Sequence, residues 1–218
     1  MSEFADVPLN VSRAAIKECV YLIHGFASAP KFPSDKVSVL EQVFALPVVQ
    51  LRYNSGAGFA SNMEALKAQV RLPPLFFVGT SLGAFYASHL AEHFYAEHAC
   101  MPIMLNPCHN PAELLHDSVG EHVNFATGER FFLSDVSVDS YRALPLMHAN
   151  IQMPRWILLN MDDELIDAEQ TQALFKNQLE VMTFPSGGHR FENIGSDDVV
   201  SAMKRIHCSY FLHGVSAE

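Results

Sequence analysis

Ser81 interrupts the apolar run Leu75 to Ala87 (LFFVGTSLGAFYA) with a hydroxyl held between Gly79 and Gly83. Gly79-Thr80-Ser81-Leu82-Gly83 matches G-x-S-x-G, the pattern of a strand that turns sharply into a helix. Side chains two positions before and after the serine would collide in that turn. The serine backbone is strained there, and its Oγ projects from the sheet end. Such a serine attacks a carbonyl, with the dipole of the following helix aimed at the reaction centre. The pattern alone arises by chance in roughly one chain in fifteen at this length. Its partners must decide.

A serine hydroxyl needs a base to take its proton and a third group to orient that base. In a parallel α/β fold these follow as serine, acid, histidine, each on a loop after a later strand. The apolar run ending at Asn160 is followed by Met161-Asp162-Asp163-Glu164-Leu165-Ile166-Asp167, and the run ending at Phe184 by Pro185-Ser186-Gly187-Gly188-His189. Two glycines let His189 fold back over the sheet edge. Asp163 is the acid of choice, near the strand end with aliphatics behind it. Asp162 comes one residue early and is expected to point the other way. Asp167 suits the N-cap of the next helix, and Glu164 is expected to face solvent. The oxyanion hole requires backbone N–H groups aimed at the developing charge. Leu82, after the serine, offers one; Phe26, in His24-Gly25-Phe26 after the first strand, offers the other. His24 reads as a buttress of that loop.

A second constellation competes. His89-Leu90-Ala91-Glu92-His93 matches H-x-x-E-H, a helix signature of zinc peptidases in which two histidines share a metal beside a glutamate base. Its position argues against it. The segment continues the helix after Ser81, where Ala84, Ala87, Ser88 and Ala91 make a strip for close packing on the sheet. His89 and His93 fall on the opposite face with Leu82 and Tyr86, and no third ligand is well placed downstream. The expectation is therefore no metal and no cofactor, with the histidines partly buried or at the surface. Cys108 has no base to activate it and reads as structural. Phe26, Phe125 and Phe132 would suit an acyl pocket, but aromatics in an α/β domain are far more often core.

The elements that must position these groups are legible as alternating patterns. Cys19–His24, Pro47–Arg52, Leu75–Thr80, Met101–Asn106, Trp156–Asn160 and Glu180–Phe184 are nearly continuous apolar runs, as in strands buried on both faces of a parallel sheet. Val37–Phe44, Asn62–Val70, Leu82–Phe94, Ala168–Gln178 and Asp197–Leu212 carry apolar residues at helical spacing, with Ser61, Asp167 and Ser196 as candidate N-caps. The order predicts a single α/β domain over 1–218: a mostly parallel, doubly wound sheet with helices on both faces. Nearly fifty residues, 107–154, separate two strands. Helix-like pieces at Pro111–Val119 and Val138–His148 and the aromatics Phe125, Phe131, Phe132 and Tyr141 lie within this insertion, which reads either as lid-like, covering the active end of the sheet, or as a decorative helical excursion.

Composition bounds the partners. The 218 residues carry a formal net charge of −10, from 14 Lys and Arg against 24 Asp and Glu, with no basic cluster. That argues against nucleic acid and anionic membrane surfaces. The start MSEFADVPLN does not read as a secretory signal, and no run is long enough to span a bilayer. Cys19, Cys100, Cys108 and Cys208 show no paired spacing and read as reduced thiols of a cytoplasmic protein. Oligomeric state is not legible.

These segments together resemble the small bacterial α/β-hydrolase esterases of the YqiA/YcfP-like family. The resemblance spans roughly Val20 to Leu212. It rests on YLIHGFASAP, VGTSLGAFYA, Asn106-Pro107, Glu113-Leu114-Leu115, Thr127-Gly128 and the acid and GGH segments. Ala84 departs from it, standing where a second glycine often follows the elbow. The resemblance implies an α/β-hydrolase fold without the N-terminal hairpin of larger members, and a Ser81, Asp163, His189 triad. The expected activity is carboxylic ester cleavage, with a short acyl group, through an acyl-enzyme. Thioester cleavage by the same triad and a non-catalytic binding role are the alternatives.

Overall fold

The computed structural model describes residues 18–148 and 153–214; the acidic N-terminal segment read above lies outside them. Six strands pair in parallel in the order β2 (Val48–Leu51), β1 (Cys19–Ile23), β3 (Pro74–Thr80), β4 (Met101–Leu105), β7 (Trp156–Asn160) and β8 (Glu180–Phe184). Side chains alternate between two cores, as the strand pleat requires. Tyr21, Phe77, Met104, Ile157 and Leu159 enter one, beneath α2 (Phe59–Lys67), α3 (Leu82–His98) and α6 (Ala168–Phe175). Val20, Leu22, Phe76, Val78, Ile103 and Leu158 enter the other, beneath α1 (Asp35–Phe44) and α7 (Asp197–Gly214). The chain leaves β1 toward β2 and returns to β3 on its other side. That reversal of strand order opens a crevice at the carboxyl ends of β1 and β3, where parallel α/β sheets bind ligands.

Strands and long helices fall where the sequence patterns placed them, with differences at the ends. Ser61 is not a cap: α2 begins earlier, at Phe59 after Gly58. The Phe59 N–H donates instead to Ser140 Oγ, 2.8 Å away and eighty-one positions along the chain. Asp167 does cap α6, accepting from Gln170 N at 2.8 Å. His89 is buried and His93 is exposed, because α3 is covered on its outer side as well.

That cover is the insertion. The helix-like Pro111–Val119 is a short α4 (Pro111–Leu114) followed by a 3-10 turn at His116–Ser118. The expected Val138–His148 helix is instead the five-residue α5 (Asp135–Asp139), continuing in turns. Between them lies an antiparallel hairpin that periodicity did not predict, β5 (Gly120–Val123) and β6 (Arg130–Leu133). Tyr141 docks the insertion on α3, its hydroxyl in contact with that of Tyr86, which in turn accepts from Asn62 Nδ2 at 2.9 Å. No helix among the described residues is long and apolar enough to cross a membrane.

The tightest packing is at the turn between β3 and α3. A side chain at Gly79 would run into the backbone of Gly83 and Ala84, and one at Gly83 into the carbonyls of Ile23 and His24. Backbone cannot swing aside as a side chain can. Gly83→Ala is therefore expected to lower stability by about 2 kcal/mol or more, read as a fall in Tm of roughly 5 °C. Gly25→Ala is the contrast. Its methyl would meet Thr80 O at 3.4 Å and Ser81 Cβ at 3.5 Å, ordinary contact distances, so Tm should hardly move.

Candidate active site

Ser81 sits at φ 56° and ψ −123°, a left-handed φ that a non-glycine residue occupies only under constraint. Neighbouring backbone supplies the constraint. Ser81 N donates to Leu105 O at 3.0 Å, and its carbonyl accepts from Ala84 N at 2.9 Å and Cys108 N at 3.2 Å. The serine is 6 % exposed. The loop after β1 passes beside it, with Gly25 packed against Thr80 and Ser81. Leu82 N–H is one of the first donors of α3, which the helix itself leaves unpaired. Among the described residues, neither Leu82 N nor Phe26 N donates to a backbone acceptor outside the helix and strand ladders.

Asp163 and His189 meet across the ends of β7 and β8. His189 Nδ1 lies 2.9 Å from Asp163 Oδ2 and 3.0 Å from Oδ1, so the Nδ1–H donates to the carboxylate and Nε2 is left bare. The Asp163 side chain is 1 % exposed. Its Oδ1 also accepts from Leu165 N and Ile166 N, each at 2.8 Å, which fixes the carboxylate in place. The two flanking acids hold the histidine loop by its backbone. Asp162 accepts from Gly187 N at 3.1 Å and Gly188 N at 2.9 Å. Glu164, expected to face only solvent, is exposed but accepts from His189 N at 2.8 Å. These N–H groups hold the Asp162 and Glu164 carboxyls below the usual carboxylate range.

A buried amide layer supports the loop from beneath. Asn106, fully buried at φ 44°, donates from Nδ2 to Gly188 O at 2.9 Å and His189 O at 3.1 Å, and accepts from Asn160 N at 2.8 Å. Asn160 donates to Gly188 O at 3.0 Å and Asn193 Oδ1 at 3.1 Å, and Asn193 donates back at 2.8 Å. Sequence reading did not single out these amides for this work. The signal was there: both apolar runs, MPIMLN and WILLN, end in asparagine, and a polar group committed to the core needs partners.

His24 is the loop buttress expected of it. Its ring stacks on Tyr53 with centroids 4.3 Å apart, and Nδ1–H donates to Gly25 O at 2.9 Å. Burial pushes its pKa down to about 4, so the ring is neutral. Phe125 and Phe132 do not belong to the core: they are 77 % and 60 % exposed. Phe26 packs edge-on against His122 and Phe131 of the hairpin. The hairpin is also tied to the β1 loop, by Phe125 N to Ala27 O and Asn124 Nδ2 to Ser28 O, both 2.8 Å. Cys108 is buried, and burial pushes its thiol up to about 12, far from reactivity.

Parallel strand order, the strained serine between glycines and the later acid and histidine loops define an α/β-hydrolase fold. Solved structures share it. Est1E from Butyrivibrio proteoclasticus superposes with a TM-score of 0.67 at 15 % identity over 90 % of each chain. The esterase domain of a Rhodothermus marinus protein gives 0.63 at 18 % identity, over 94 % of this chain and 89 % of that one. Mouse alpha/beta hydrolase domain-containing protein 10 gives 0.63 at 14 % identity over 90 % of each chain. The chain belongs to UPF0227, an uncharacterised protein family whose model matches residues 18–206.

One cation was missed by sequence reading altogether. Lys36, on α1, donates from Nζ to Thr80 Oγ1 at 3.0 Å and to Arg190 O at 2.6 Å. It thereby joins the residue before Ser81 to the residue after His189. Burial pushes its pKa down to about 8, against an opposing pull from Glu192. Between pH 8 and the unfolded value of 10.5 the unfolded chain holds this proton and the folded chain does not. Stability from this group therefore rises with pH across that window. Wild type is expected to gain on the order of 3 kcal/mol relative to Lys36→Met between pH 7.5 and pH 10.5. Paired urea titrations at the two pH values measure the difference, and equal shifts in both proteins would remove the buried ammonium from the account.

Proposed function

We propose that this protein is a serine hydrolase that cleaves a carboxylic ester through an acyl-enzyme intermediate. The observation that carries the reading is the buried Asp163 carboxylate on His189 Nδ1, at the same sheet end as the strained Ser81. With Nδ1–H committed to Asp163, His189 Nε2 is the base that takes the Ser81 proton as Oγ attacks the carbonyl. Charge developing on the carbonyl oxygen meets the Phe26 and Leu82 N–H groups. His189 then returns the proton to the leaving alcohol. Water, activated by the same nitrogen, releases the acid and restores Ser81.

The hairpin of the insertion supports a role as cover over this end of the sheet. It is fastened to the β1 loop, and the Arg190 guanidinium lies 6.0 Å from the ring centre of Phe125. A compact chain with this cover fits a short acyl group. The four unpaired cysteines fit a reducing, cytoplasmic setting. Net charge of −10 fits a small-molecule substrate and no nucleic-acid partner.

Mass spectrometry after treatment with a fluorophosphonate should find one adduct, on Ser81, that is absent from Ser81→Ala and indifferent to EDTA. Folded wild type without an adduct would mean that the serine is not activated, and the hydrolase reading fails. Asp163→Asn is expected to lose on the order of 10⁴ in kcat on short p-nitrophenyl esters, by analogy with triads in general. Asp167→Asn, which keeps the helix cap, should lose little. The reverse order would transfer the acid's role to Asp167.

A further inference from the structure

The outer face of α3 carries a second group of chemistry-bearing side chains that the hydrolase reading does not use. His89 and Glu92 lie one turn apart on that helix, with side chains 7 % and 5 % exposed. The chain returning from the insertion brings His148 against them. His89 Nδ1 is 4.0 Å and His148 Nε2 3.8 Å from Glu92 Oε2, and one ligand atom from each residue lies within 4.8 Å of the other two. The sequence motif H-x-x-E-H contributed two of these residues. Its third, His93, lies one turn further along α3 and is exposed, packed edge-on against Phe94. The ligand that sequence reading could not find downstream is His148, and the segment just before β7 places it.

From these positions we infer that His89, Glu92 and His148 form a binding site for a divalent transition-metal ion, with zinc the ion that suits the donor set best. Three further observations support the assignment. First, the other atoms of each ligand are already committed. His89 Nε2–H donates to Pro145 O at 3.0 Å, which leaves Nδ1 bare and aimed inward. Metal-bound histidines characteristically fix the tautomer this way. Glu92 Oε1 accepts from His148 N at 2.7 Å and Arg155 Nη2 at 3.1 Å, which leaves Oε2 facing the two imidazoles. Secondly, the backbone of His148 is clamped on both sides, since Arg155 Nη2 also donates to His148 O at 3.0 Å. The third ligand is therefore positioned independently of any ion. Thirdly, the rings of Phe59 and Phe85 pack on His89 and wall the site.

The geometry is close to what zinc demands. Two nitrogens and one carboxylate oxygen around a centre, with bonds of about 2.0–2.2 Å, need the ligand atoms to draw in by only about half an ångström. His148 is 49 % exposed, which gives an ion its way in and leaves a fourth position for water. Arg155 beside Glu92 lowers the affinity that an unshared carboxylate would give but does not occupy Oε2. The ion would strap the end of the insertion to the helix that carries Ser81, about eight residues or roughly 12 Å along its axis from the serine. Nothing in this depends on the hydrolase reading.

The test uses the full chain without a histidine tag, stripped by EDTA and titrated with Zn²⁺ by calorimetry and with Co²⁺ by visible absorption. Wild type should bind one equivalent of Zn²⁺ with a dissociation constant of micromolar or below. Its Co²⁺ form should show the intense ligand-field bands of a low-coordinate site. His148→Ala, an exposed change that leaves the metal-free Tm in place, should weaken binding on the order of 100-fold and abolish those bands. His93→Ala should change neither. Absence of stoichiometric binding, binding that survives in His148→Ala, or loss in His93→Ala would each overturn the assignment. The Co²⁺ spectrum of wild type decides even if a variant fails to fold.

Discussion

The structure depends on one backbone constraint, the reversal of β3 into α3 through a left-handed serine. A chain can turn there only if the residues on either side contribute no side chain, because Gly79 closes on Gly83 and Gly83 closes on the carbonyls at the end of β1. The strain at Ser81 is of the order of 1–3 kcal/mol. Leu105 O and Cys108 N offset it by bonding the serine's own amide and carbonyl. Because β1, β3 and β4 all meet at this turn, the loops that follow those strands are brought together as a consequence. The Gly25 loop, the serine and Asn106 are neighbours for that reason and need no separate device.

The histidine loop is held differently, by polar groups instead of steric fit. Gly187 at φ 145° and Gly188 at φ 58° let the chain fold back, but such freedom also carries the largest entropic cost of ordering. Asp162 and Glu164 secure its N–H groups, Asn106 and Asn160 its carbonyls, and Lys36 the carbonyl of Arg190. A buried polar layer of this kind specifies one conformation only if its members are satisfied. Here each named amide is engaged, so His189 faces Asp163 without support from a bound substrate.

What the sequence made legible follows from the same division. Steric and hydrophobic requirements leave periodic traces, so the six strands, the long helices and the glycines around Ser81 could be read, and Asp163 and His189 were placed by strand order. Polar groups that act through partners far away leave no local trace. The cap of α2 comes from Ser140, the amide beneath His189 from Asn106, and the cation between two loops from Lys36 on a surface-looking helix. The insertion was read poorly for a related reason. Its hairpin strands are four residues each and only half buried, too short and too exposed for alternation to stand out.

Helix α3 connects the two regions. Its first turn positions Ser81 and Leu82, while its second and third turns bury Tyr86, His89 and Glu92 beneath the returning insertion. A buried glutamate on such a helix is a net cost unless its charge is matched, and Arg155 at 3.1 Å with the His148 N–H matches it at one oxygen. Both partners belong to the segment that re-enters the sheet at β7. The ion pair therefore fixes where the insertion ends, and with it the start of the strand whose far end carries Asp163. Shortening or repacking the insertion would act on the acid through β7 and on the serine through α3. In this fold the insertion, α3 and the start of β7 are one mechanical unit.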